Sequence, residues 1–83
     1  MKPRPDLAIE NVDGELVVLD KAAGKVHQLN PSASFVWSCL SDGLDTREIA
    51  LRLAEAYDIE PQNALADVQA TLAQFEGLSL VTK

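Results

Sequence analysis

The chain has 83 residues, enough apolar material for one core and too little for two. Its net charge of −6, from 13 acidic against 7 basic side chains, argues against nucleic acid as the main partner, because clustered Lys and Arg supply most of such affinity. No apolar run reaches the roughly 18 residues of a membrane span. The start MKPRPDLAIEN also lacks the apolar stretch of a secretory signal, so a cytoplasmic protein with no membrane partner is expected. Cys39 is the only cysteine, which excludes an internal disulfide and fits a reducing compartment.

Residues 1–5 hold two prolines and two basic side chains and read as an extended, mobile arm. Residues 7–12 alternate weakly and predict a first strand. Asp13-Gly14 then marks a hairpin turn, Gly supplying a positive φ. Glu15, Leu16, Val17, Val18, Leu19 and Asp20 form the clearest strand, β-branched and apolar on both faces. A second turn over 21–24 ends in Gly24 and leads to a third strand, Lys25-Val26-His27-Gln28-Leu29. Strands joined by two short turns make an antiparallel meander.

The remainder is helical. Asn30 is a good N-cap and Pro31 suits the first helical position, where its missing N–H costs nothing. Ala33, Val36, Trp37 and Leu40 follow at i, i+3, i+4 and i+7, one buried stripe, and Ser41-Asp42-Gly43 closes the helix. Asp45 with Glu48 forms a capping box for a second helix whose core face is Ile49, Leu53, Ala56 and Tyr57. Pro61 opens a third helix with a stripe of Leu65, Val68, Leu72 and Phe75, ended by Gly77. Residues 78–81 form an apolar tail that should pack back or add a small strand. The expected fold is α+β and winged-helix-like, a three-stranded antiparallel meander followed by three helices (βββααα), in a single domain over 1–83. Helices 2 and 3 with their short connector form a helix-turn-helix pair.

No constellation carries chemistry. Nothing cationic neighbours Cys39 in sequence to lower its pKa, so it reads as a packed thiol. His27 has neither a carboxylate nor a nucleophile in view. One His and one Cys without ligand spacing predict no metal, and single glycines at turns make no phosphate-cradling loop, so no cofactor is expected. A phosphopantetheine carrier would need a Ser in Asp-Ser-Leu at a helix start, and the chain has none. What remains is the sheet. In the order 1-2-3 the third strand is an edge, and only Lys25 guards its entry. Such an edge beside a helix suits strand addition by a guest peptide. The C-terminal tail, or a second subunit in a strand-exchanged homodimer, would cover it equally well.

GKVHQLNPSASFVWSCL and LDTREIALRLAEAYDIEPQNALADVQATLAQFEGLSLV resemble the two halves of the PqqD-like family, the pyrroloquinoline quinone biosynthesis protein D and related precursor-peptide recognition elements. Leu29-Asn30, Trp37, Glu48-Ile49, Pro61, Asp67-Val68 and Gly77-Leu78 in register carry the likeness over about residues 7–81. The arm MKPRPDL is also similar to the family's Pro-Arg segment. Val26-His27 depart from the pattern, standing where the family has an aromatic pair, and Pro31 stands where it has an acidic residue.

The resemblance implies a non-catalytic peptide chaperone. It would bind the leader segment of a ribosomally made precursor peptide and present it to a modifying enzyme such as a radical-SAM protein, a cyclase or a leader peptidase, in the quinone pathway, a lasso-peptide pathway or another modified-peptide pathway. The peptide would add to the third strand (Lys25, Val26, His27, Gln28, Leu29) beside a wall drawn from Ala64, Asp67, Val68, Thr71, Leu72 and Phe75 of the third helix. The helix-turn-helix pair leaves one alternative of another class, a winged-helix DNA-binding transcription regulator.

Overall fold

The computed structural model describes residues 1–82. In chain order its elements are β1 (Lys2–Pro3), β2 (Ala8–Val12), β3 (Glu15–Asp20), β4 (Lys25–Gln28), α1 (Pro31–Ser41), α2 (Thr46–Tyr57), α3 (Pro61–Gly77) and β5 (Val81–Thr82). β2, β3 and β4 form the expected antiparallel meander with β3 in the centre, followed by three helices, so the fold is α+β. The β2–β3 turn has positive φ at both Asp13 (54°) and Gly14 (86°), the backbone that lets a two-residue loop follow the strand twist.

Side chains alternate across the sheet, and Val18, fully buried, shows which face meets the helices. The core joins Val18 and Leu29 to Ala33, Val36, Trp37 and Leu40 of α1, Ile49, Ala50 and Leu53 of α2, and Ala64, Val68, Leu72 and Phe75 of α3. Local signals start the helices. The Asn30 side chain accepts from the Ala33 N–H at 2.8 Å, and Asp45 and Glu48 make the reciprocal capping box. Gly43 ends α1 at φ 86°.

Two helix faces differ from the sequence reading. On α3 the core face begins at Ala64, while Leu65, one residue round the helix, is 37% exposed. Alanine's small side chain permits close approach of α2 and α3, which run against each other, whereas leucine there would hold them apart. On α2 the buried set is Ile49, Ala50 and Leu53. Ala56 is exposed, and Tyr57, at the helix end before left-handed Asp58, is 44% exposed with its ring edge-on to Phe35 at 5.9 Å.

The arm is paired where a mobile segment was expected, and the tail behaves as expected. Residues 1–5 are extended but not loose, because β1 pairs antiparallel with β5, Lys2 opposite Thr82 and Pro3 opposite Val81. The tail both packs back, with Leu80 fully buried, and adds this short strand. Arg4 locks the corner. Its Nη1 donates to Asp20 Oδ2 and to the Ser79 carbonyl, each at 2.9 Å, its Nη2 donates to Asp6 Oδ2 at 2.7 Å, and its backbone N–H meets the Leu80 carbonyl at 3.0 Å. Asp20 is 3% exposed, so the guanidinium supplies the charge that lets a carboxylate be buried there. These bonds raise the Arg4 pKa and hold the Asp6 and Asp20 carboxyls below the usual carboxylate range.

Candidate functional site

Of the three meander strands, β4 carries the open edge next to α3. It pairs with β3 alone, Val17 opposite Gln28, Val18 opposite His27, Leu19 opposite Val26 and Asp20 opposite Lys25. The Leu29 N–H donates to the Leu16 carbonyl at 2.8 Å. Because antiparallel rungs alternate, this bond fixes which groups point inward. Lys25, His27 and Leu29 turn their main-chain groups toward β3, leaving the N–H and C=O of Val26 and Gln28 directed away from the sheet. The expectation of a free edge over 25–29 therefore narrows to these two residues. Where the ladder ends, the Leu16 N–H donates instead to Ser34 Oγ at 2.9 Å, and that hydroxyl donates to the Leu29 carbonyl at 3.3 Å.

The edge faces a gap. No Cα of β4 comes within 8 Å of a Cα of α3. A cleft of about 390 Å³ fills that space, lined by Val26, His27, Gln28 and Leu29 from the strand side. Asn30 and Ala33 close it at the start of α1, and Gln74, Phe75 and Leu78 form the opposite wall. The Phe75 ring, held edge-on against Trp37 at 5.1 Å, gives that wall a rigid apolar floor. Val26 (67% exposed) and Leu78 (45% exposed) are apolar side chains left at the rim.

His27 lies opposite buried Val18 and so turns toward the helices. Its Nε2 is shielded from water and has no hydrogen-bond partner, alone among the buried side-chain nitrogens and oxygens of the described residues. Leaving such a group unsatisfied costs about 1–3 kcal/mol.

The site named from sequence is thus brought together in part. Val26, His27, Gln28, Leu29 and Phe75 line the cleft, while Lys25 lies at the strand entry outside it. Ala64 and Val68 are 0% exposed and Leu72 is buried, so they hold the core rather than a surface. Asp67 is exposed and its carbonyl accepts from Thr71 Oγ1 at 2.8 Å; neither side chain reaches the cleft lining. Sequence reasoning missed Asn30, Ala33, Gln74 and Leu78. The last two continue the helical row of Asp67 and Thr71 at i+7 and i+11, a signal that would have found them.

Among the described residues no reactive group is assembled nearby. Cys39 is buried in α1, and that burial pushes its thiol pKa up. Among the described residues no three His, Cys, Asp or Glu side chains stand together as a metal site. No described helix is long and apolar enough to cross a membrane.

The arrangement is a winged-helix-like α+β scaffold whose sheet keeps an open edge across a cleft from its last helix. The family model of coenzyme PQQ synthesis protein D (PqqD) matches residues 15–81, and the chain belongs to that family. Two solved structures are similar over nearly their whole length. One is TbiB1 in complex with the TbiA(β) leader peptide, 24% identical with a TM-score of 0.90, covering 96% of this chain and 93% of that one. The other is lasso peptide synthetase B1 complexed with the leader peptide, 26% identical with a TM-score of 0.90, covering 99% and 96%. A search of the curated proteins finds no match.

Proposed function

We propose that this protein is a non-catalytic recognition domain, spanning the whole chain, that binds the leader segment of a ribosomally made precursor peptide. The leader adds as a fourth strand along β4 and lies in the cleft against the C-terminal part of α3. The carrying observation is the pair of outward-facing residues, Val26 and Gln28, above an unfilled cleft. Family membership supports this reading, as do the leader peptides bound to both similar solved structures. The bound precursor is then presented to a modifying enzyme, a radical-SAM protein, a cyclase or a leader peptidase being the fitting kinds.

The energetics suit a carrier. Two residues with one donor and one acceptor each offer four main-chain hydrogen bonds, worth roughly 1 kcal/mol apiece. Two or three apolar anchors against Phe75, Leu78 and Leu29 add about 1.5–3 kcal/mol each. Ordering the leader removes on the order of 2–5 kcal/mol and association several more. The most favourable combination leaves about 7 kcal/mol, a dissociation constant of roughly 10 µM, loose enough for a carrier to release its cargo.

The test is a nuclear magnetic resonance titration with precursor leader peptides, beginning with the TbiA(β) leader bound in the similar structure. The amides of Val26 and Gln28 should become protected from exchange, while Ile9 and Asn11 on the far edge of the sheet should not. Protection confined to α2 and α3 would refute strand addition. The DNA-binding alternative lacks support, since α3, which would be the recognition helix, holds no Lys or Arg.

A further inference from the structure

The cleft and the strand end beside it differ in charge. None of the side chains lining the cleft carries a fixed charge. Lys25 stands at the entry of β4, opposite Asp20 in the ladder. Asp20 is buried two residues beyond buried Val18, so both point toward the helices, and Lys25 shares that side of the sheet with His27 and Leu29. No ion pair joins Lys25 to Asp20. That carboxylate is held instead by Arg4 Nη1 at 2.9 Å, Arg4 Nη2 at 3.3 Å and the Ala23 N–H at 3.2 Å. The β3–β4 turn adds Lys21 and no acidic residue. Both lysines are exposed, and among the described residues neither has an ion pair.

An antiparallel guest, the more stable arrangement, meets β4 through the outward main-chain groups of Val26 and Gln28. Lys25 and His27 turn theirs the other way, so the guest faces each in a non-hydrogen-bonded pair, where side chains approach most closely. The guest residue facing His27 has its side chain on the cleft side. The residue facing Lys25 lies two positions C-terminal to it, next to the one bonded to Val26, so its backbone is held in place.

We propose that Lys25 is a specificity-determining residue, which selects guests carrying Asp or Glu two positions C-terminal to the side chain seated in the cleft. The chain's net charge of −6 does not oppose this. Charges farther away than about 8–10 Å are largely screened at physiological salt, so the nearest ones decide. Of those, Asp6 and Asp20 are engaged by Arg4, while Lys21 and Lys25 are unpaired. A basic guest residue at the same position meets two like charges. The inference rests on the strand-addition reading and adds to it a chemical class of guest and a chain direction.

The experiment selects peptides from a random displayed library, at low ionic strength, on immobilised wild-type protein and on Lys25→Gln, Lys25→Glu and Gln28→Pro. Wild type should enrich Asp or Glu at one position, two residues C-terminal to an apolar anchor. Lys25→Gln should show no charge preference there, and Lys25→Glu should enrich Lys or Arg, with the anchor unchanged in all three. Replacing the selected acid by its amide should weaken binding to wild type about threefold, an effect that disappears on Lys25→Gln and in about 1 M salt. The same acid enriched on Lys25→Glu, no charge preference on wild type, or an acid enriched only N-terminal to the anchor would overturn the inference while leaving strand addition intact. Equal enrichment on Gln28→Pro and wild type would instead overturn strand addition itself.

Discussion

Extended segments meet the rest of the molecule in two regions, and the two are finished in opposite ways. At one corner β1 and β5, only two residues each, pair with each other, and Arg4 ties them to Asp20 and Ser79. At the other, β4 has a longer edge with no strand beside it and a cleft alongside. The tail strand that would have covered β4 is already paired with the arm. An edge of this kind is a liability unless something is meant to occupy it. The comparison separates a locked corner that carries stability from an open margin available for recognition.

Four measurements test that contrast, in order of decreasing effect. Arg4→Ala should lower the melting temperature by on the order of 10 °C, because it strands the buried Asp20 carboxylate. Leader affinity measured well below that temperature should change less than threefold. Equal losses of stability and affinity would show the two regions to be one unit.

Gln28→Pro, or Val26→Pro, should do the reverse. Each removes a donor aimed away from the sheet and leaves the β3–β4 rungs intact, so affinity for a labelled leader should fall at least tenfold with little change in melting temperature. Full binding by both variants would exclude this edge as the docking strand.

Acid should act on the locked corner. Asp6 and Asp20 have depressed pKa values in the folded state, so their contribution is whole above the unfolded carboxylate value and is lost as pH falls through the folded one. Wild-type stability relative to Arg4→Ala should be constant from neutral pH down to about pH 4 and shrink below it. A constant difference down to strong acid would refute the assignment.

The smallest effect belongs to neither region. Asp45→Ala removes the capping box of α2 and should cost about 1 kcal/mol in urea denaturation with leader affinity unchanged.

Features set by neighbours in sequence were readable from it. The Asp13-Gly14 turn, the Asn30 and Asp45 caps and the stripe of α1 each depend on residues within one turn of one another. So does the order of strands and helices, which fixes β4 as an edge. The core face of α3 was misjudged by one position, because periodicity weighs Leu65 above Ala64, while helix–helix distance rewards the smaller side chain. The locked corner was illegible for a different reason. Arg4 meets Asp20 and the Ser79 carbonyl only after the whole chain has closed, and no local pattern marks the three as partners. For the same reason the far wall of the cleft was placed near the middle of α3. How far β4 stands from each turn of that helix is a property of the assembled core, and it brings Gln74 and Leu78 to the strand instead of Asp67 and Thr71.

The pairing of Lys2 with Thr82 also has a topological consequence. The polypeptide enters and leaves at neighbouring points, so the domain hangs from a single spot. A circular permutant with those points bridged by a short flexible segment and the chain reopened at the Asp13-Gly14 turn should keep the same architecture. A larger protein could likewise carry this unit as an insertion within one of its surface loops.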